Sequence, residues 1–86
     1  MDKTYTFIAE YREGTYISQC ISKDLQEAIR IWVLDKSKIF LDNTRYKKLT
    51  KIYQEEQPTK IEGVSNVWCC YYLLNRSSIL LNIISN

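Results

Sequence analysis

Asn66-Val67-Trp68-Cys69-Cys70-Tyr71-Tyr72-Leu73-Leu74, then Asn75-Arg76-Ser77-Ser78, then Ile79-Leu80-Leu81-Asn82-Ile83-Ile84-Ser85 is the stretch whose reading decides the fold. Two runs rich in aromatic and branched residues flank a short polar cluster, the pattern of a β-hairpin. Neither run alternates cleanly between apolar and polar, so both faces of this hairpin carry apolar side chains. That belongs to covered strands or to a sheet with a partner.

Working outward, Pro58 and the linker Thr59 to Ser65 precede the hairpin, and a helix from about Asn43 to Gln57 precedes the linker. Tyr46, Leu49, Ile52 and Tyr53 form its inner face, with Lys47, Lys48 and Lys51 opposite and Arg45 at the margin. Asp35 to Leu41 reads as a loop whose Ile39-Phe40-Leu41 patch docks on the core. Before it lies the strongest helical pattern of the chain. Asp24 is a good N-cap with Glu27 three residues later, and Leu25, Ala28, Ile29, Trp32 and Val33 make one apolar stripe. On that stripe Trp32 is a core residue.

Thr4 to Ser22 makes the first hairpin. A two-residue turn at Glu13-Gly14 would set Tyr5, Phe7, Ala9 and Tyr11 beside Tyr16, Ser18 and Cys20, leaving Ile17 and Ile21 outside. A three-residue loop, with Arg12-Glu13 as a type I turn and Gly14 left-handed, gathers Tyr5, Phe7, Ala9, Tyr11, Thr15, Ile17 and Ile21 on one face. The second register buries more apolar surface and is the expected one. The order β-β-α-α-β-β then predicts a single α+β domain over residues 1–86. In it, a four-stranded antiparallel sheet carries both helices on one face.

Composition narrows the chemistry. The chain has 86 residues, two glycines, one proline and a net charge of +2. That is an ordinary globular composition, with too little charge to imply nucleic acid alone. A chain of this size buries only ~60–65% of its unfolded surface, so each large apolar residue matters. Without histidine or a Cys-x-x-Cys pair, zinc and Ser-His or Cys-His catalysis lack their ligands and base. Glycines 14 and 63 are isolated, so no phosphate loop exists. The acidic residues are scattered as solvated charge, and no enzyme, cofactor or metal is expected. Cys69 and Cys70 are adjacent and Cys20 is alone, which reads as free thiols rather than a disulfide framework. The start, Met1-Asp2-Lys3-Thr4, has no apolar core and no run approaches ~18 apolar residues, so the expectation is a cytoplasmic protein without a membrane partner.

Two surfaces could carry function. The first is the sheet face away from the helices, expected to show Ile8, Tyr16, Cys20, Trp68, Cys70, Tyr72, Leu80 and Ile84 unless the 39–41 patch or the linker folds over it. Trp68, Tyr72, Tyr16, Leu80 and Ile84 are the candidate protein-interface residues. The second is the basic side of the later helix, Arg45, Lys47, Lys48 and Lys51, which could meet phosphates.

Tyr5-Thr6-Phe7-Ile8-Ala9-Glu10-Tyr11 and Gly14-Thr15-Tyr16-Ile17-Ser18-Gln19, followed by Asp24-Leu25-Gln26-Glu27-Ala28-Ile29, resembles small bacterial α+β proteins without assigned activity. The same third of the chain is similar to the opening of HicB-type antitoxins, a hairpin followed by a helix with this acidic-apolar start. It departs from them in lacking the proline-containing segment before that helix and any DNA-binding segment, and no functional residue carries over. The resemblance implies a bacterial origin. The combined expectation is a non-enzymatic interaction module that binds a partner protein, as antitoxins and immunity proteins do, or forms a homodimer. Nucleic-acid binding through the basic helix is the alternative.

Overall fold

The alternation Tyr5, Phe7, Ala9, Tyr11 builds strand β1 (Lys3–Tyr11), which pairs antiparallel with β2 (Gly14–Ser22) in the computed structural model, where residues 2–86 are described. The turn is Arg12-Glu13, with Tyr11 opposite Gly14. This overturns the expected register. Tyr5, Phe7 and Ala9 face Cys20, Ser18 and Tyr16, while Ile17 and Ile21 lie on the opposite face. The positive φ falls on Arg12 (54°), the first turn position, as in a type II′ turn whose twist matches the strands. Gly14 serves a different purpose, because a Cβ there would stand 2.7 Å from the Tyr16 hydroxyl. Counting apolar residues misleads here for a physical reason. β2 is an edge strand whose inner positions are only partly covered, so placing isoleucines there would gain little.

Among the described residues the sheet has five strands rather than four. β3 (Thr59–Lys60) is a two-residue strand inside the expected linker, β4 (Val67–Leu74) and β5 (Ser77–Ser85) form the second hairpin, and the order is β2-β1-β5-β4-β3. The two hairpins meet through β1 and β5, from Tyr5 opposite Ser85 to Tyr11 opposite Ile79. These central strands carry the cleanest inward alternation: Phe7, Ala9, Ile79, Leu81 and Ile83 are fully buried. Asn86 and Asn66 close one end of the sheet, Asn86 through the backbone of Thr4 and Asn66 through that of Ser85.

The helices cover one face. α1 (Leu25–Ile31) starts at Asp24, whose carboxylate accepts the Glu27 N–H at 2.8 Å; Glu27 itself turns to Arg30 at 3.3 Å. The expected loop after it is instead wound. Trp32–Lys36 forms a π turn and Ser37–Ile39 a 3-10 turn. Ser37, fully buried, donates its hydroxyl to the Val33 carbonyl at 2.7 Å, so a polar residue in the winding costs no unpaired group. α2 (Asn43–Ile52) is capped by Asp42 and tightens to a 3-10 turn at Tyr53–Glu55, short of Pro58. The Tyr46 hydroxyl donates to the Leu34 carbonyl at 2.9 Å and ties α2 to the π turn. Among the described residues no helix is long and apolar enough to cross a membrane.

Trp32 sits where all of these meet. Its ring lies 6.1 Å from Phe7 of β1, 6.4 Å from Tyr72 of β4 and 6.1 Å from Phe40 of the connection. Phe40 in turn stacks on Tyr16 of β2 at 4.4 Å and contacts Tyr11 at 5.6 Å. Truncation of such a residue costs ~3–5 kcal/mol. At ~0.05–0.15 kcal/mol per residue, this chain has only ~4–13 kcal/mol to lose. Trp32→Ala is expected to remove a large share of that stability, and the fall in the denaturation midpoint followed by circular dichroism measures it. Tyr72 predicts the opposite sign. Its hydroxyl is buried without a hydrogen-bond partner, and burial, with the Cys70 thiol nearby, raises its pKa so that it stays neutral. Tyr72→Phe removes the unpaired group and should stabilise by about 1 kcal/mol, raising the melting midpoint by about 4–8 °C.

Candidate functional site

The helices leave the other face of the sheet uncovered, and the strand register states which side chains it shows. From β2 come Thr15, Ile17, Gln19 and Ile21; from β1, Thr4, Thr6, Ile8 and Glu10. β5 adds Ser78, Leu80, Asn82 and Ile84, and β4 adds Val67, Cys69, Tyr71 and Leu73. Ile17 is 69% exposed, Ile21 67%, Leu73 64% and Tyr71 54%. Leu80 is also exposed, while Ile8, Val67 and Ile84 are half-buried among their neighbours. Glu10 is the one charged side chain on these positions, and it accepts a hydrogen bond from the Thr15 hydroxyl at 2.9 Å. Exposed apolar side chains set among threonine, glutamine and asparagine, with Arg12 and Arg76 beside Glu10 at one end, make a surface of the kind protein interfaces use.

Its extent follows from sheet geometry. Four long strands ~4.8 Å apart, rising ~3.3 Å per residue, offer about 500 Å² of planar area. That lies at the small end for one side of a specific interface, where ~800 Å² per partner is standard.

Of the candidate interface residues, only Leu80 and Ile84 lie on this face. Tyr72 is fully buried under Trp32, Trp68 is half-buried against the core, and Tyr16 is held on Phe40, all on the helix side. Cys20 and Cys70 lie on that side as well. The physical reason is parity. The turn between β4 and β5 is Asn75-Arg76, with φ +51° at Asn75, so Tyr72 pairs with Ile79 and Cys70 with Leu81. Any turn of even length keeps the even positions of β4 with the odd positions of β5, and Trp68 and Tyr72 cannot then share a face with Leu80 and Ile84. Ile17, Ile21, Tyr71 and Leu73 were the residues to find. Asn82 was the marker: as the polar position of β5 it identifies the outer face, and it pairs with Cys69, which sends Tyr71 and Leu73 outward. The 39–41 patch packs on the helix side through Phe40 and Leu41, and leaves the open face free.

The basic set is likewise divided. Arg45 is committed elsewhere: it binds the Asp42 carboxylate at 2.6 Å and donates through Nε to the Ser77 hydroxyl at 2.9 Å, and Ser77 donates to the Leu74 carbonyl at 3.0 Å. The Arg45 backbone N–H and then its side chain hold the Asp42 carboxyl below the usual carboxylate range. Arg45 therefore ties α2 to the β4–β5 turn. Lys47, Lys48 and Lys51 remain together, lining a shallow cleft with Asn43, Thr44 and Asn75. Among the described residues none of the three lysines pairs with a carboxylate.

Comparison of the chain with protein-family models, curated proteins and solved structures found no match.

The cysteines give a direct reading of the two faces. All three are free; Cys69 is half-buried on the open face, whereas Cys70 is buried and its burial pushes the thiol pKa up. At neutral pH, Cys69 should be alkylated in the folded protein while Cys70 reacts only as the chain unfolds. Time-resolved alkylation with fragment-ion mass spectrometry distinguishes the adjacent pair; equal rates would mean that the β4 register is wrong.

Proposed function

We propose that this protein is a non-enzymatic protein-binding module, comparable in role to small antitoxins and immunity proteins, and that the open sheet face holds its partner. The observation that carries the reading is the uncovered apolar surface of Ile17, Ile21, Tyr71, Leu73 and Leu80, on which Glu10 stands opposite Leu80 with Arg12 and Arg76 lining the same shallow cleft at one end. Exposed branched and aromatic side chains gain free energy when water is excluded from them. The partner that fits is another protein with a largely apolar surface that carries polar partners for the Glu10 and Arg76 end. A charged or deeply concave surface would bury unpaired groups or leave voids against it.

The unpaired lysines favour a second reading. Lys47, Lys48 and Lys51 share one cleft without acidic partners, and such a site can neutralise phosphates of nucleic acid. It is the smaller site, since Arg45 is withdrawn from it.

The two readings predict opposite losses. With a partner isolated from the source organism and then purified, Leu80→Glu or Tyr71→Glu should weaken the complex at least ~10-fold, about 1.4 kcal/mol. Lys48→Glu should leave it nearly unchanged. Both open-face positions are exposed, so circular dichroism should show an intact fold. If the face variants bind as the parent does, the first reading fails. If Lys47→Glu with Lys51→Glu abolishes salt-dependent binding to a labelled nucleic acid in fluorescence anisotropy, the second stands.

A further inference from the structure

We infer that β2 is a self-pairing edge, where two copies of this chain join their β2 strands antiparallel about a two-fold axis at Ser18 and fuse their sheets. The surface is the sheet edge rather than its open face, and the inference holds whether or not that face has a partner.

The hydrogen-bonding direction of each β2 residue follows from the hairpin. A two-residue turn is closed by a narrow, doubly bonded pair, here Tyr11 and Gly14, and bonded and non-bonded pairs then alternate. Gly14, Tyr16, Ser18, Cys20 and Ser22 thus bond to β1. Thr15, Ile17, Gln19 and Ile21 turn their N–H and C=O groups off the sheet. Thr4 supports this independently. Its N–H goes to the Asn86 side chain at 2.9 Å and its C=O accepts the Asn86 N–H at 3.1 Å, on the β5 side, so its β2 neighbour Ile21 faces outward. β2 is the end of the strand order, and among the described residues no strand lies beyond it.

Edge strands are normally protected by charge, proline, a bulge or short length. β2 has none of these. Its nine residues, Gly14 to Ser22, include no charged residue and no proline, and pair with β1 in unbroken register. The opposite edge is partly covered: β3 pairs with Trp68 and Cys69 of the eight-residue β4, so the open length there is shorter than on β2.

The strand is also complementary to itself. With the axis at Ser18, Thr15 meets Ile21 of the second copy and Ile17 meets its Gln19, so all four outward residues exchange both backbone bonds. Moving the axis to Ile17 or Gln19 sets one of them against a residue outside the strand. In the Ser18 register no like charges oppose, and Ile17 reaches its own copy diagonally across the axis. Fusing the sheets also joins the two open faces into about 1,000 Å² of continuous planar surface, beyond the ~800 Å² per side of a standard interface.

Light scattering after size exclusion, over a concentration series, tests this on the full chain. The expected mass is twice the 10.3 kDa of one chain. Gln19→Pro removes an outward N–H that β1 does not use, a position where an edge strand accepts proline, and should return the mass to 10.3 kDa with the fold intact by circular dichroism. Leu80→Glu, on the open face, should leave the dimer in place. Ser18→Cys provides an independent measurement. The axis brings the two copies of residue 18 together as a non-bonded pair, ~4.5 Å between Cα atoms, within disulfide range. Mild oxidation should then give a covalent dimer that the parent, with Cys20 ~13 Å from its copy, does not give. A parent monomeric throughout, a dimer broken by Leu80→Glu but not by Gln19→Pro, or a Ser18→Cys dimer that does not cross-link would each overturn the proposal.

Discussion

The indole of Trp32 is the contact on which the rest of this fold depends. It touches the first strand through Phe7, the fourth through Tyr72 and the helix connection through Phe40, so both hairpins and the helical layer share one side chain. In a domain this small there is no second core to take over. The π turn that begins at Trp32 belongs to the same arrangement. Widening the helix there keeps Trp32 and Val33 buried while the chain turns toward α2, and the buried Ser37 hydroxyl satisfies the carbonyl of Val33.

Because the helices gather over this aromatic cluster, coverage of the sheet is uneven. β1 and β5 are sealed on their inner side, β2 is half covered, and the outer face is not covered at all. The apolar residues left outside are those a reading based on maximal burial would bring in. Ile17 and Ile21 lie outside because the short turn at Arg12-Glu13 imposes a pairing that aligns Tyr16 with Phe40 on the helix side. The fold is thus compatible with exposed isoleucines, and their position beside an unprotected strand edge gives the surface its character.

Much of the architecture was legible in the residues. Asp24 and Asp42 stand at helix starts and accept the backbone N–H groups three residues on. The Leu25 to Val33 stripe faces the sheet, Pro58 lies just beyond the second helical segment, and two hairpins flank two helices in an α+β order. These features are local, set by side chains within a turn or two of each other, and local chemistry was enough to place them. The candidate site was legible only in part. Leu80 and Ile84 belong to the open face, but aromatic character alone groups Trp68 and Tyr72 with them, and only the parity of the turn separates the two pairs.

Element order, helix caps and the buried place of Trp32 all come from residue identity and short-range spacing. Strand order, the face each residue occupies, the role of Arg45 as a tie to the Ser77 turn, and the small strand Thr59–Lys60 were decided by tertiary pairing. The physical reason is the two-residue period of a strand. A shift of one residue in a turn exchanges the faces of every side chain beyond it at almost no local cost. Only the assembled sheet, with helices on one side and water on the other, selects between the two.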